Sequence, residues 1–432
     1  MMKRILSYLC ILCLVFGLFG CGNNGTEISG DSVSATEAVS APETAADDAA
    51  DTSEADSAGD TSASTWDFVI HSDGGTMRND MSSFDFRDEM GIGWNLGNTM
   101  EAHNSDDTVL TGGSKLIGLN TPYSYELCWS AMVTTKEAID GIRDAGFRTV
   151  RIPVYWGNMM ADDGTFTISD EYLDRVCQII NYCREDGLYV VINNHHYDEF
   201  LIKTYPEEEV LTIIDRLWTQ IANGLKDYSD YVIFEGFNEN VGTIREEDAA
   251  DYEKQDIYDY VNALNRTFVN AVRATGGNNE TRMLIVSGYW TNIDNTTSPL
   301  FLMPEDTAED RLMVSVHYVD NVPYWSNNIG TESWENYSIA QCEELKEAFT
   351  DKGIVVFIGE CTSIYPDSVR EKATLFSTGS ECMEWEIGLI LDYGFIPVLW
   401  DVDENFYSRR NACIKDSADE AALDRLLSGN AK

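Results

Sequence analysis

Tyr231-Val-Ile-Phe-Glu-Gly-Phe-Asn-Glu239 and Ile354-Val-Val-Phe-Ile-Gly-Glu360 are apolar runs that each stop at a glutamate. Short runs of β-branched and aromatic residues without a polar face predict strands buried on both sides, as in a parallel sheet. A carboxylate at the end of such a strand does nothing for packing. Outward from these two, similar runs recur at 91–98, 147–156, 188–196, 283–290, 312–319 and 395–401. The segments between them have helical periodicity. Over 134–145, Ala138, Ile139, Ile142 and Ala145 share one face, with Thr134 or Thr135 as N-cap. Over 169–186, Leu173, Val176, Ile179, Ile180 and Cys183 do the same, and Gly187 supplies the stop. A longer helix is expected over 251–275. Eight strands alternating with helices predict an α/β chain closed into a (β/α)8 TIM barrel. A doubly wound open sheet is the alternative, but no G-x-G-x-x-G fingerprint supports it.

The 432 residues carry a formal net charge of -45. Such a chain is repelled by phosphates, so no nucleic acid is expected as partner. Residues 1–20 read as a signal peptide, with Lys3 and Arg4 ahead of an apolar stretch too short to span a membrane. The stretch ends in Leu18-Phe19-Gly20-Cys21, similar to a bacterial lipobox, which makes Cys21 the expected lipidation site and attachment to the membrane. Residues 21–65 are rich in Ser, Thr, Ala, Gly and acidic residues, with no Lys, Arg or aromatic residue, and read as a disordered acidic linker. Residues 66–432 then form the barrel domain, expected to be a monomer at the bacterial cell surface, on the extracellular side. Seven cysteines remain beyond the lipobox, an odd number without framework spacing, and they read as buried free thiols.

Active sites of such barrels lie at the C-terminal ends of the strands. Those ends carry Asn95, Arg151, His195, His196, Asn238, Glu239, His317, Tyr318, Glu360, Trp400 and Asp401. Arg151 lies inside a strand and requires an anionic partner across the barrel. Two carboxylates converging on one bond are the equipment for glycoside hydrolysis. Aromatic rings suit the flat C–H face of a sugar. Trp400 is the expected floor of the cleavage subsite, and Trp94, Trp129, Trp156 and Trp290 are candidates for flanking ones. His195 and His196 are adjacent on a strand, so they are expected to face opposite ways and not to chelate one ion. The stretch Asp401-Val-Asp-Glu-Asn405 begins like a calcium loop but has Phe406 at the required glycine. No metal and no cofactor is expected.

These stretches resemble glycoside hydrolase family five, within it the endoglucanase and xyloglucanase subgroup. The resemblance rests on Gly93-Trp-Asn-Leu-Gly-Asn-Thr99, Tyr125-Glu-Leu-Cys-Trp129, Gly146-Phe-Arg-Thr-Val-Arg-Ile-Pro-Val-Tyr-Trp156, Asn194-His-His196, Asn238-Glu239, His317-Tyr318, Gly359-Glu360 and Leu399-Trp-Asp401, in that order. It implies a retaining double displacement, with Glu360 as nucleophile and Glu239 as acid/base. Arg151 would favour ionised Glu360, and Asn238 would bind the sugar 2-OH. His195 and His317 would orient the carboxylates and the sugar. The chain departs from the family in two places that bear on catalysis. Val319 stands where a tyrosine usually bonds the nucleophile, so Tyr318 serves only if the backbone bulges; Tyr324 could fold back instead. Asn240 replaces the proline that usually follows the acid/base.

The resulting expectation is an endo-β-1,4-glucanase acting on a β-glucan polysaccharide or oligosaccharide such as cellulose, mixed-linkage glucan or xyloglucan. A β-mannanase of the same mechanism is one alternative. A surface glycan-binding protein with feeble catalysis, motivated by Val319, is another.

Overall fold

In the computed structural model of the protein, residues 69–103, 120–130, 132–161, 163–241, 254–320, 328–365, 375–402 and 405–429 are described. The signal peptide, Cys21, the linker and Tyr324 lie outside them. Eight parallel strands close in chain order, each hydrogen-bonded to the next and β8 to β1. They are β1 (Gly93–Asn95), β2 (Thr149–Ile152), β3 (Tyr189–Asn193), β4 (Val232–Glu235), β5 (Leu284–Ser287), β6 (Leu312–His317), β7 (Val355–Thr362) and β8 (Ile396–Trp400). The fold is a TIM barrel. Helices Lys136–Asp144, Asp170–Glu185 and Lys254–Ala274 occupy the three predicted helical segments. Thr135 is the cap of the first, its side chain accepting from the Ala138 amide.

Alternation along the strands separates two cores. Val150, Ile152, Val190, Ile192, Phe234 and Val316 point outward, into the layer beneath the helices. Tyr189, Val191, Ile233, Ile285, Met313, Phe357 and Val398 fill the barrel interior, closed from below by Phe86 and Met90 of the helix Ser83–Met90. The same period of two carries upward and aims Asn95, Arg151, Asn193, Glu235 and Ser315 into the barrel above that plug. An interior that is apolar below and polar above therefore follows from strand parity.

Glu360 breaks the parity. Ile358 faces the helices, so two residues on, Glu360 would face them too. Between Ile358 and Cys361, β7 advances three residues while β8 advances two; against β6, His317 pairs with Glu360 although Val316 pairs with Ile358. One extra residue at Gly359–Glu360 forms a bulge that turns the carboxyl into the barrel mouth. A Cβ on Gly359 would lie 3.0 Å from His317 Nε2 and from Ser315 Oγ. A side chain there would press on the histidine ring and the serine hydroxyl beside the bulge.

Several sequence-derived candidates are structural. Trp94 is buried and its indole donates to Asp401 Oδ2 at 3.2 Å. Trp156 is buried and donates to the Asn193 carbonyl at 2.8 Å. Neither ring is open to a ligand. Asp401 also accepts the amides of Phe406 and Tyr407, so it fastens the β8 loop. Glu126, from the 125–129 stretch, is buried in a fork with Arg175 at 2.9–3.1 Å. Breaking such a pair would leave a buried charge, at a cost of about 3–5 kcal/mol. All seven described cysteines are free, six buried and Cys413 exposed.

Candidate active site

Arg151 organises the barrel mouth. It is fully buried and each guanidinium nitrogen has a partner. Nε donates to Glu235 Oε2 at 2.7 Å, and Nη2 to Asn238 Oδ1 at 2.7 Å. Nη1 donates to Asn95 Oδ1 at 3.0 Å and to Glu360 Oε1 at 3.3 Å. Asn95 in turn donates to the Gly359 carbonyl at 2.9 Å, holding the bulge. One cation thus fixes Asn95, Asn238 and Glu360 relative to one another.

The second oxygen of Glu360 accepts from Tyr318. The hydroxyl lies 2.9 Å from Oε2. The sequence allowed this only with a backbone bulge, and the structure supplies it from the neighbouring strand. Tyr318 also takes a left-handed φ of 48° just past β6, and its amide donates to the Glu360 carbonyl at 2.8 Å. Val319 is buried in the outer core. Phe is the decisive substitution for the hydroxyl. The lost hydrogen bond to a charged acceptor is worth about 1.5–3 kcal/mol. Tyr318→Phe should therefore raise the Glu360 pKa and move the acid limb of kcat/KM upward by roughly one to two pH units. An unmoved limb would show that the phenol does not act on Glu360.

Glu239 lies four residues beyond the end of β4, in the loop, and keeps 27% of its side chain open. His317 Nδ1 is 4.0 Å from its Oε1 and 3.7 Å from Glu360 Oε2. The two carboxyl oxygens are therefore no more than about 8 Å apart across the His317 ring. Burial first, and the negative charge of Glu360 second, push the Glu239 carboxyl up to about 7; His196 and the Trp290 side chain pull the other way. Burial also raises the Glu360 pKa, against Arg151 and the Tyr318 hydroxyl, which favour its anion. The partners differ: Glu360 has a guanidinium and a phenol to stabilise its charge, and Glu239 has neither.

The histidines differ in what they can do. Asn193 Oδ1 accepts the Val154 amide, which turns its Nδ2 toward His195 Nδ1 at 3.2 Å and leaves the His195 proton on Nε2. Burial holds His195 and His317 well below the usual imidazole pKa, so both are neutral. The His195 ring is parallel to Trp400 within 9°, at 6.0 Å between centroids. His196 does not face away from His195 as expected of strand neighbours. It lies beyond β3 with φ 62°, and the two rings meet edge to face at 4.2 Å. His196 Nδ1 instead pairs with Glu199 at 3.0 Å. Among the described residues no group of three or more His, Cys, Asp or Glu gathers in a way that could hold a metal.

Residues 106–405 match the family Cellulase (glycosyl hydrolase family 5). The chain belongs to that family. It is a glycoside hydrolase of the endoglucanase type. Endoglucanase A of Clostridium longisporum is 35% identical over 75% of this chain, which spans 59% of that relative. Endoglucanase A of Ruminococcus albus is 33% identical, over 77% of this chain and 86% of the relative. A GH5-4 broad specificity endoglucanase from Ruminococcus champanellensis with bound cellotriose superposes with a TM-score of 0.68 at 28% identity, covering 81% of this chain and 99% of its own. Three features of this family 5 site were not singled out from the sequence. Glu235 and Ser315 sit within the barrel beneath it, and Glu101, buried, accepts the Asn98 and Thr99 amides to shape the loop after β1. A carboxylate inside an apolar strand, with an in-strand arginine two strands away, was the available signal for Glu235.

Proposed function

We propose that the protein is a retaining endo-β-1,4-glucanase that cleaves β-glucan chains with Glu360 as nucleophile and Glu239 as acid/base. Membership of glycosyl hydrolase family 5 supports retention, and the observation that carries the two roles is the Glu239–His317–Glu360 arrangement, with Arg151 and Tyr318 on Glu360 and not on Glu239. In the first step ionised Glu360 attacks the anomeric carbon while Glu239 gives its proton to the departing glycosidic oxygen. A covalent glycosyl-enzyme and a shortened glycan result. Glu239, now a carboxylate, takes a proton from water, which attacks the same carbon and releases Glu360. Two inversions retain the anomeric configuration.

Asn238, oriented through its Oδ1 by Arg151, presents its Nδ2 to the sugar 2-OH. The two ring nitrogens of His317 are buried and have no hydrogen-bond partner among the described residues; the ring stands between the carboxyls of Glu239 and Glu360. Trp400, half-buried at the end of β8, supplies the sugar platform. Trp129 and Trp290, also half-buried, remain the flanking-subsite candidates. The glycan-binding reading rested on Val319, and the Tyr318 contact removes that motive. The cellotriose held by the Ruminococcus champanellensis enzyme supports a β-1,4-glucan as substrate. We further propose presentation at the bacterial surface through a lipid on Cys21, supported by the lipobox-like sequence; Cys21→Ser should lose incorporation of a labelled fatty acid.

The test is a product profile on carboxymethylcellulose, lichenan, xyloglucan, xylan and mannan, with NMR of the first-formed anomer. Rapid viscosity loss on a β-glucan with β-anomeric product is expected. Cleavage of mannan alone, or α-anomeric product, would overturn the reading.

A further inference from the structure

Arg151 has two anions and one positive charge. Glu360 meets it at Nη1 and Glu235 at Nε, and the Glu235 contact is the shorter, 2.7 against 3.3 Å. Glu235 is completely buried, and its other oxygen accepts from Ser315 Oγ at 2.8 Å. Arg151, Glu235 and Ser315 come from β2, β4 and β6, alternate strands whose inward residues share a layer in such a barrel. A buried ion pair that served stability alone would be weak justification for itself, since apolar replacements often do as well. Its position beneath the nucleophile suggests a different use.

We propose that Glu235 is a positioning residue of the reaction: its carboxylate anchors Arg151 and cancels that cation's charge, so that Glu360 attacks a sugar that is becoming positive without an uncompensated guanidinium beside it.

Before attack, Arg151 lies between two carboxylates. As the C–O bond to Glu360 forms and the glycosidic bond breaks, the carboxylate loses its charge and the anomeric centre gains positive character. Without Glu235, Arg151 would be an unpaired cation close to that centre, in a setting where water does not screen it. With Glu235, the pair is neutral throughout. The second consequence concerns the resting enzyme. Glu360 is faced by Arg151 from β2, by His196 beyond β3, and by Glu235 and Glu239 from β4 and its loop. His317 and Tyr318 face it from β6. Of these, Glu235 opposes ionisation of Glu360, and Arg151, Tyr318 and His196 favour it. Glu235 thus keeps the nucleophile more basic than Arg151 alone would leave it. The anchored guanidinium also sets the angle of Asn238 and Asn95, which it holds through Nη2 and Nη1.

The inference rests on Glu360 being the nucleophile. Its test compares Glu235→Gln and Ser315→Ala with the unaltered enzyme. Glutamine has the same shape, can accept from Arg151 Nε through Oε1 and donate to Ser315 through Nε2, and lacks only the charge. Glu235→Gln should move the acid limb of kcat/KM down by roughly half a pH unit or more. It should lower kcat about tenfold, with KM little changed. Ser315→Ala removes a hydrogen bond and keeps the charge, so its limb should stay. Trapping with a 2-deoxy-2-fluoro-β-cellobioside and peptide mapping is run on the unaltered enzyme in parallel. A label on Glu360 with an unmoved limb in Glu235→Gln overturns the inference alone. A label on another residue overturns the nucleophile assignment and the inference with it. If Glu235→Gln does not fold, Glu235→Asp, which withdraws the charge from Nε by one methylene, should give a smaller downward shift; a limb at the original pH overturns the inference.

Discussion

Glu360→Gln should reduce kcat on soluble β-glucan by roughly 10⁵-fold or more, the scale of losing a covalent nucleophile, while leaving the fold intact. Both halves of this expectation come from the same contacts. Chemically, an amide oxygen cannot form the ester through which the first step passes, and no other described carboxylate except Glu239 shares His317 with Glu360. Glu239 cannot replace it, because it must supply the proton. Structurally, the usual danger in removing a buried charge is the partner left behind. Here Arg151 keeps Glu235 at 2.7 Å, so no cation is orphaned. The Gln carbonyl can still accept from the Tyr318 hydroxyl. Thermal unfolding of the variant should therefore lie within a few degrees of the parent, and calorimetry should still detect cello-oligosaccharide binding. A variant that turns over would remove Glu360 from the nucleophile's role. One that unfolds would show that Glu235 does not compensate Arg151 as the geometry indicates.

The barrel was legible because a parallel strand buried on both faces has to be an uninterrupted apolar run; seven of the eight runs contain their strand, and β7 continues two residues past its run to Thr362. The ends were less legible. The run at 231–239 stops being a strand at Glu235, because apolar residues continue into a loop that is itself buried. Parity, the rule that lets a sequence say which side chains share a face, fails where a residue is inserted. The Gly359–Glu360 bulge is such an insertion, and so is, in effect, the left-handed backbone at His196 and Tyr318. Those three positions decide which way a nucleophile, an imidazole and a phenol point, and nothing in the residue types announces them. Non-glycine residues at positive φ are uncommon and tend to collect at functional sites; here Asn98, His196, Val241, Trp290 and Tyr318 follow β1, β3, β4, β5 and β6. The tryptophans were misleading for a different reason. An indole is large enough to fill a core gap and polar enough to fasten a loop, so residue type alone could not separate Trp94 and Trp156 from Trp400.

Glu239→Ala should produce a loss that depends on the leaving group. On a β-glucan the departing oxygen is that of a sugar alcohol and needs a proton as its bond breaks, so kcat should fall by about 10²–10⁴-fold, the usual contribution of general acid catalysis. On an aryl cellobioside with a good leaving group the first step needs no proton, and it should survive much better. The second step then limits, since nothing deprotonates water; glycosyl-enzyme accumulates, a burst of phenol appears, and added azide, which needs no base, restores turnover as the β-glycosyl azide. The pH profile gives a second, independent readout. Glu239 works in its protonated form, and its carboxyl titrates at about 7, so kcat/KM of the parent should fall as pH rises through that value. On the aryl substrate the variant should lack that basic limb and keep the acid limb set by Glu360. Equal losses on both substrates would remove Glu239 from the role. So would a basic limb that survives at the same pH. The burial that raises this carboxyl is incomplete, with 27% of the side chain open to the cleft. That opening is what allows first a glycosidic oxygen and then a water molecule to reach the same proton site.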